Sequence, residues 1–157
     1  MEVDVAVVGG GPAGSAAATL LAGAGRSVVL IDKATFPRDK CCGDGLTVLA
    51  LRLCERLGLD PGGIPNWQPV NGAVIHAPSG WTAKFPLPAG SGQFAAVVPR
   101  SELDAALLDL ARQAGTDVRE DSALTGIRID RTSTTLDVDG IGEVATGAVV
   151  AADGMWS

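Results

Sequence analysis

The run VDVAVVGGGPAG near the N-terminus restricts what this chain can fold into more than any other stretch. Val3 to Val8 is short, rich in valine and almost wholly apolar, the pattern of a parallel strand covered on both faces. It leads directly into glycines at 9, 11 and 14, a G-x-G-x-x-G spacing. The next residues, Ser15 to Ala24, are mostly small and read as a helix closed by Gly25. Pro12 suits a first helical turn, where its missing N–H costs nothing. SVVLID follows, a second buried strand ending in an acid, Asp32.

Each residue type in that order has a physical reason. Gly9 permits a tight turn, Gly11 lets backbone approach a pyrophosphate, and Gly14 lets helix and strand pack closely. The helix N-terminus offers unsatisfied N–H groups and the positive end of its dipole to phosphate oxygens. Asp32 stands roughly 20 residues beyond the glycines, where a carboxylate can bind a ribose hydroxyl pair. An acid there favours an unphosphorylated ribose, as in FAD or NAD. Strand, glycine turn, helix and strand-end acid together predict an α/β, Rossmann-like dinucleotide-binding fold with a parallel central sheet.

The chain has 157 residues and a hydrophobic content of 46%, enough for one domain with its own core. A net charge of −6 argues against a nucleic-acid surface, which needs clustered Lys and Arg. The start MEVDVAVV has no basic region of a signal peptide, and no apolar run is long enough to span a bilayer. A cytoplasmic location is therefore expected.

Between the second strand and the next helix lies FPRDKCCGDGL, which holds two of the three cysteines. Adjacent cysteines bridge only with strain, and so few in a non-secreted chain suggest thiols rather than a disulfide framework. One histidine and scattered cysteines make no metal site. A Ser-His-Asp or Cys-His hydrolase would have to use that histidine, His76, and no supporting motif surrounds it. Leu46, Leu49, Ala50, Leu53, Cys54 and Leu57 form one continuous helical stripe, predicted to be buried, with Cys54 as core packing.

Residues 66–99 read as a β-rich insertion of short strands separated by Pro, Ser and Gly. Its aromatics, Trp67, Trp81, Phe85 and Phe94, are expected to form a small satellite core, with the wall of an apolar substrate pocket as the sharper alternative. Ser101 is the expected N-cap of the following helix, with Asp104 completing an imperfect capping box. Leu103, Leu107, Leu110, Ala111 and Ala114 supply its buried stripe. ALTGIRID and TTLDVDG resemble a β-meander. Ala148 to Ala152 reads as a further buried strand, ending in Asp153-Gly154 at the sheet edge where doubly wound folds bind ligands.

The stretches DVAVVGGGPAGSAAA, VVLIDKATFPRDKCCGDGL, PRSELDAALLDLARQAG and VVAADGMWS resemble the N-terminal part of the geranylgeranyl reductase family of FAD-dependent oxidoreductases. That family lies within the broader group of aromatic-hydroxylase-like flavoproteins. The first and last stretches are common to the wider group, whereas FPRDK-x-CGDGL is more specific to isoprenoid-type reductases. Cys41 and Val48 depart from it, each standing where the family often has proline. The resemblance implies that residues 1–157 are an FAD-binding domain, with a C-terminal substrate domain absent and the sheet incomplete at that end.

By the same resemblance Ala13 and Asp32 would meet the ADP part of FAD. Cys42, Gly43 and Gly45 would line the flavin, with Cys42 a candidate catalytic thiol. Arg100, Asp153 and Gly154 would lie near the pyrophosphate, and Leu124 would cover the adenine end. The implied reaction is reduction of carbon–carbon double bonds in an isoprenoid or prenyl-lipid substrate by flavin hydride transfer. NAD(P)H would be the electron donor, and the lipid implies peripheral contact with a membrane. Two readings stay open beside it: a hydroxylating monooxygenase using NAD(P)H and oxygen, and a truncated, inactive dinucleotide-binding module.

Overall fold

The computed structural model describes residues 1–42, 44–88 and 92–154. In chain order its elements are β1 (Glu2–Val8), α1 (Pro12–Gly23), β2 (Val28–Ile31), β3 (Gly45–Leu46), α2 (Val48–Leu57), β4 (Gln68–Pro69), β5 (Gly72–His76), β6 (Thr82–Pro86), β7 (Ala96–Val97), α3 (Arg100–Gln113), β8 (Asp117–Arg119), β9 (Leu124–Ile129), β10 (Thr134–Val138) and β11 (Gly142–Ala151).

The apolar runs of β1 and β2 become the middle of a six-stranded sheet ordered β8-β2-β1-β11-β10-β9. β8, β2, β1 and β11 are parallel, while β9 and β10 form the predicted meander, which β11 extends as a third antiparallel strand. Because side chains alternate along a strand, β1 and β2 feed two cores at once. Val5, Val7, Val28 and Leu30 meet Ala18 of α1 and Leu108 and Ala111 of α3 on one face. Ala6, Val8, Val29 and Ile31 meet Leu136, Val138 and Val144 of the meander on the other. Each Val, Leu or Ile side chain sealed this way stabilises the fold by about 1.5–3 kcal/mol.

Several local expectations change in the structure. β11 begins earlier than predicted, at Gly142, pairing first with β10 and then with β1. Its end is not sealed: Ala148 and Ala151 are exposed, and Val149 and Val150 are half-buried. α3 starts at Arg100, with Pro99 at the cap position and no side-chain cap from Ser101. The first α3 amide is met from a distance instead, since Asp44 Oδ1 accepts from Arg100 N–H at 3.2 Å. Asp104 caps nothing and is fully buried.

The predicted α2 stripe is only partly core. Leu46, Cys54 and Leu57 are half-buried and pack against the cluster of Leu59, Ile64, Val98, Leu103 and Leu107, as expected for Cys54, but the rest of the stripe does not follow. Leu51, which lies off the predicted stripe, is the buried residue of that helix, whereas Leu49 is 69% and Leu53 47% exposed. The β-rich stretch does form the hairpin β5–β6, in which His76 Nδ1 lies 2.9 Å from Thr82 Oγ1. Its aromatics do not assemble. Trp81 and Phe85 are 64% and 50% exposed, while Trp67 packs against the separate cluster of Leu59, Ile64, Val98, Leu103 and Leu107.

Candidate functional site

The three motif glycines answer to three different neighbours. Gly9 has φ +105°, and a Cβ there would lie 2.5 Å from the Ala152 carbonyl at the end of β11. A Cβ on Gly14 would stand 1.8 Å from the Gly9 carbonyl, so this position closes the turn onto its own helix. Gly11 is different: a Cβ there would meet only Arg38 Nη2, at 3.6 Å. The space beside Gly11 is therefore open and bordered by a guanidinium. Buried Ser15 braces the turn by donating its hydroxyl hydrogen to the Gly10 carbonyl at 3.0 Å.

α1 starts here with no side-chain cap and no acid in its first turn. Its leading N–H groups have no intrahelical acceptors, which favours an anionic ligand. Asp32 lies beside the turn. Its Oδ2 accepts from Gly10 N–H at 2.7 Å and its Oδ1 from Ala34 N–H at 2.8 Å. An ionised carboxylate has about four acceptor positions, so these bonds orient Asp32 and leave capacity for ribose hydroxyls.

A cleft of about 550 Å³ opens at the carboxyl ends of β1 and β2, lined by Gly9, Asp32, Arg38, Lys40, Leu124 and Asp153 among others. Lys40 Nζ lies 3.1 Å from where a Cβ of Gly154 would be, which puts an ammonium against the Asp153-Gly154 turn. A second cleft, of about 390 Å³, is walled by α1, α2 and α3. It takes in Ala13, Cys42, Gly45 and Arg100, with Leu46, Leu53 and Leu107 in its apolar lining. The sequence-predicted residues thus divide between two clefts. Gly9, Asp32, Leu124 and Asp153 line the first, whereas Ala13, Cys42, Gly45 and Arg100 line the second. Gly11 and Gly14 shape the turn, Gly154 abuts Lys40, and Gly43 falls outside the described residues.

The guanidinium beside the glycine turn belongs to Arg38, a residue the sequence reading left unassigned. Arg100 is committed elsewhere: its Nε and Nη2 donate to Asp104 Oδ1 and Oδ2, both at 2.8 Å. Those bonds hold the Arg100 pKa well above its usual value against the lowering effect of burial, and the Cys42 thiol pushes it the same way. Asp104 Oδ2 also lies 3.3 Å from Arg38 Nη1, in charge contact. That Nη1 is buried and has no aligned hydrogen-bond acceptor among the described residues. The Phe36 ring covers the guanidinium from another side at 4.8 Å.

An open position at Gly11, an uncapped helix start and the Arg38 Nη2 that borders them fit the phosphates of a dinucleotide such as FAD. Among the described residues no group of three His, Cys, Asp or Glu side chains could hold a metal ion. Arg38 and Lys40 both come from FPRDK, so their proximity to the glycines was there to be read as two cations following the second strand. Asp104 gave a misleading signal, because an acid in the first turn of a helix usually serves the helix end.

The FAD binding domain family matches residues 2–157. A menaquinone reductase of Mycolicibacterium smegmatis is 43% identical over 120 residues, covering 73% of this chain and 28% of the relative. Digeranylgeranylglycerophospholipid reductase 2 of Methanopyrus kandleri is 33% identical over 168 residues, covering the whole chain and 39% of that protein. Among solved structures, a geranylgeranyl bacteriochlorophyll reductase-like protein of Thermoplasma acidophilum superposes with a TM-score of 0.81 at 30% identity. That match covers 98% of this chain and 39% of the other. The chain therefore spans well under half the length of each of these proteins.

Proposed function

The chain belongs to the FAD binding domain family, and from that premise we propose that it forms the dinucleotide-binding part of an FAD-dependent reductase acting on carbon–carbon double bonds of a prenyl lipid. The observation that carries the substrate class is chemical. Menaquinone and digeranylgeranylglycerophospholipid, named for the two curated relatives, have unlike head groups, and the polyprenyl chain is what they share.

In this reading Gly11, the α1 N-terminus and Arg38 hold the phosphates, and Asp32 holds the ribose hydroxyls. Lys40 and the Asp153-Gly154 turn border the same cleft, and Leu124 supplies its apolar edge. The second cleft, with Cys42 and Gly45 at one end and leucines along its walls, offers apolar surface to a flavin ring or an isoprenoid chain. Bound reduced FAD supplies the hydride, as the cofactor does in this class of chemistry. The protein binds and orients it and keeps water away from the reacting carbons. NAD(P)H is the proposed donor. No helix among the described residues is long and apolar enough to cross a membrane. Peripheral contact with a membrane surface is the proposed route to a prenyl lipid.

The test incubates the enzyme with NAD(P)H and a polyprenyl quinone, then reoxidises the product in air before mass spectrometry. A mass gain that survives reoxidation marks saturation of the side chain. A gain that disappears marks reduction of the quinone ring alone and contradicts the proposal. Cys42→Ser separates chemistry from packing in the same assay. Lost turnover with FAD still bound assigns the thiol a chemical role, and unchanged turnover leaves it as packing.

A further inference from the structure

Asp104 lines neither cleft, yet it touches a cation belonging to each. Its side chain is 0% exposed, and those of Arg38 and Arg100 are both 17% exposed. A carboxylate buried this deeply persists only if opposite charges and hydrogen bonds replace its lost hydration. Arg100, one helical turn earlier on α3, grips it with two donors at 2.8 Å. Arg38 reaches the same Oδ2 from the loop after β2, at 3.3 Å.

The loop is fixed from other directions as well. Phe36 stacks on Arg38, its N–H donates to Glu120 Oε1 at 2.6 Å, and its ring lies against Gly10. Asp44 accepts from the first amide of α3. The cluster of two guanidiniums and one carboxylate carries one net positive charge, and the Arg38 end of it adjoins the open position at Gly11.

We propose that Asp104 is a positioning residue: it aims Arg38 at the glycine turn while holding Arg100 at Cys42, and so sets the affinity of the site for phosphate-bearing ligands without touching them. The inference rests on the flavin site and not on which double bond is reduced.

Two effects of Asp104→Asn oppose each other, which makes the test sharp. The substitution preserves shape but removes a negative charge close to an anion site, so electrostatics alone would tighten phosphate binding. It also puts an amide donor where a carboxylate received two guanidiniums, which releases Arg38. If positioning governs, ADP and FAD bind more weakly by roughly tenfold or more, the loss of a charge-assisted hydrogen bond. Adenosine, lacking phosphates, should change by no more than about twofold.

The experiment is calorimetric titration of the protein and its variants with ADP, adenosine and FAD. Asp104→Asn binding ADP as well as or better than the unaltered protein overturns the proposal. Equal losses for ADP and adenosine also overturn it, since they mark general damage to the fold. Arg38→Lys provides a second arm should Asp104→Asn fail to fold. It keeps the charge but loses the fork that can span Asp104 and a phosphate. The same selective loss for ADP is expected, and unaltered ADP affinity contradicts the proposal. If the starting protein binds neither ADP nor FAD, the flavin site itself falls, and this inference with it. If it binds FAD and the ADP-to-adenosine ratio does not move, only the role of Asp104 falls.

Discussion

The central sheet and two outer elements, helix α2 and the β5–β6 hairpin, treat their apolar side chains in opposite ways. On the sheet, Val7, Val29 and Leu30 are completely covered, by helices on one face and the meander on the other. On α2 and the hairpin, Leu49, Leu53, Ile75, Trp81 and Phe85 remain between 47% and 69% exposed. Both regions have sequence patterns that fit their secondary structure. A periodic apolar stripe establishes that a helix has an apolar face, but not what that face meets. On α2 it meets a cleft, shared with α1 and α3, whose walls include Cys42 and Arg100.

The sharpest break of this comparison lies at the glycine turn, where a methyl group is expected to be fatal on one side and harmless on the other. Gly14→Ala sets a Cβ 1.8 Å from a backbone oxygen and should abolish soluble folded protein, seen as loss of the native circular dichroism spectrum. Gly23→Ala, at the far end of the same helix, meets nothing within 4 Å. It should raise stability by up to about 1 kcal/mol in a urea melt.

A smaller effect separates the core around the sheet from α2 directly. Leu108→Ala empties a fully buried site and should cost about 2–5 kcal/mol. Leu49→Ala removes an exposed side chain and should stay within about 0.5 kcal/mol. Equal costs would mean that Leu49 is buried after all. The smallest effect is one of rate. Burial raises the Cys54 pKa, leaving less reactive thiolate at neutral pH, while Cys41 and Cys42 are exposed. Iodoacetamide followed by peptide mapping should modify Cys54 last.

The dinucleotide half of the molecule was legible in the sequence because its determinants are local. β1, the glycine spacing and Asp32 lie within one short segment, and each restricts its neighbours. The helix start at Arg100 was harder to read, because its capping carboxylate comes from Asp44, in a different segment. Asp44 itself sits at φ 54°, a left-handed conformation that Asp tolerates better than most residues. Arg100 and Asp104 have the spacing of an ordinary solvated helix pair. Only the arrival of Arg38 and the closing of α3 onto α1 and the sheet turn that pair into a buried cluster. β8 was missed for a simpler reason: Asp117-Val118-Arg119 is too short and too charged to show strand periodicity, and pairing with β2 alone defines it.

The central claim is that the open position beside Gly11, held between the α1 N-terminus and Arg38, receives the phosphates of FAD. Titrating the purified protein with FAD while following flavin fluorescence tests it directly, with Arg38→Ala measured in parallel. The account expects saturable quenching, reversal by excess ADP, and affinity weakened roughly tenfold or more in the variant. Quenching that never saturates, or an Arg38→Ala protein that binds FAD as tightly as the original, would contradict it.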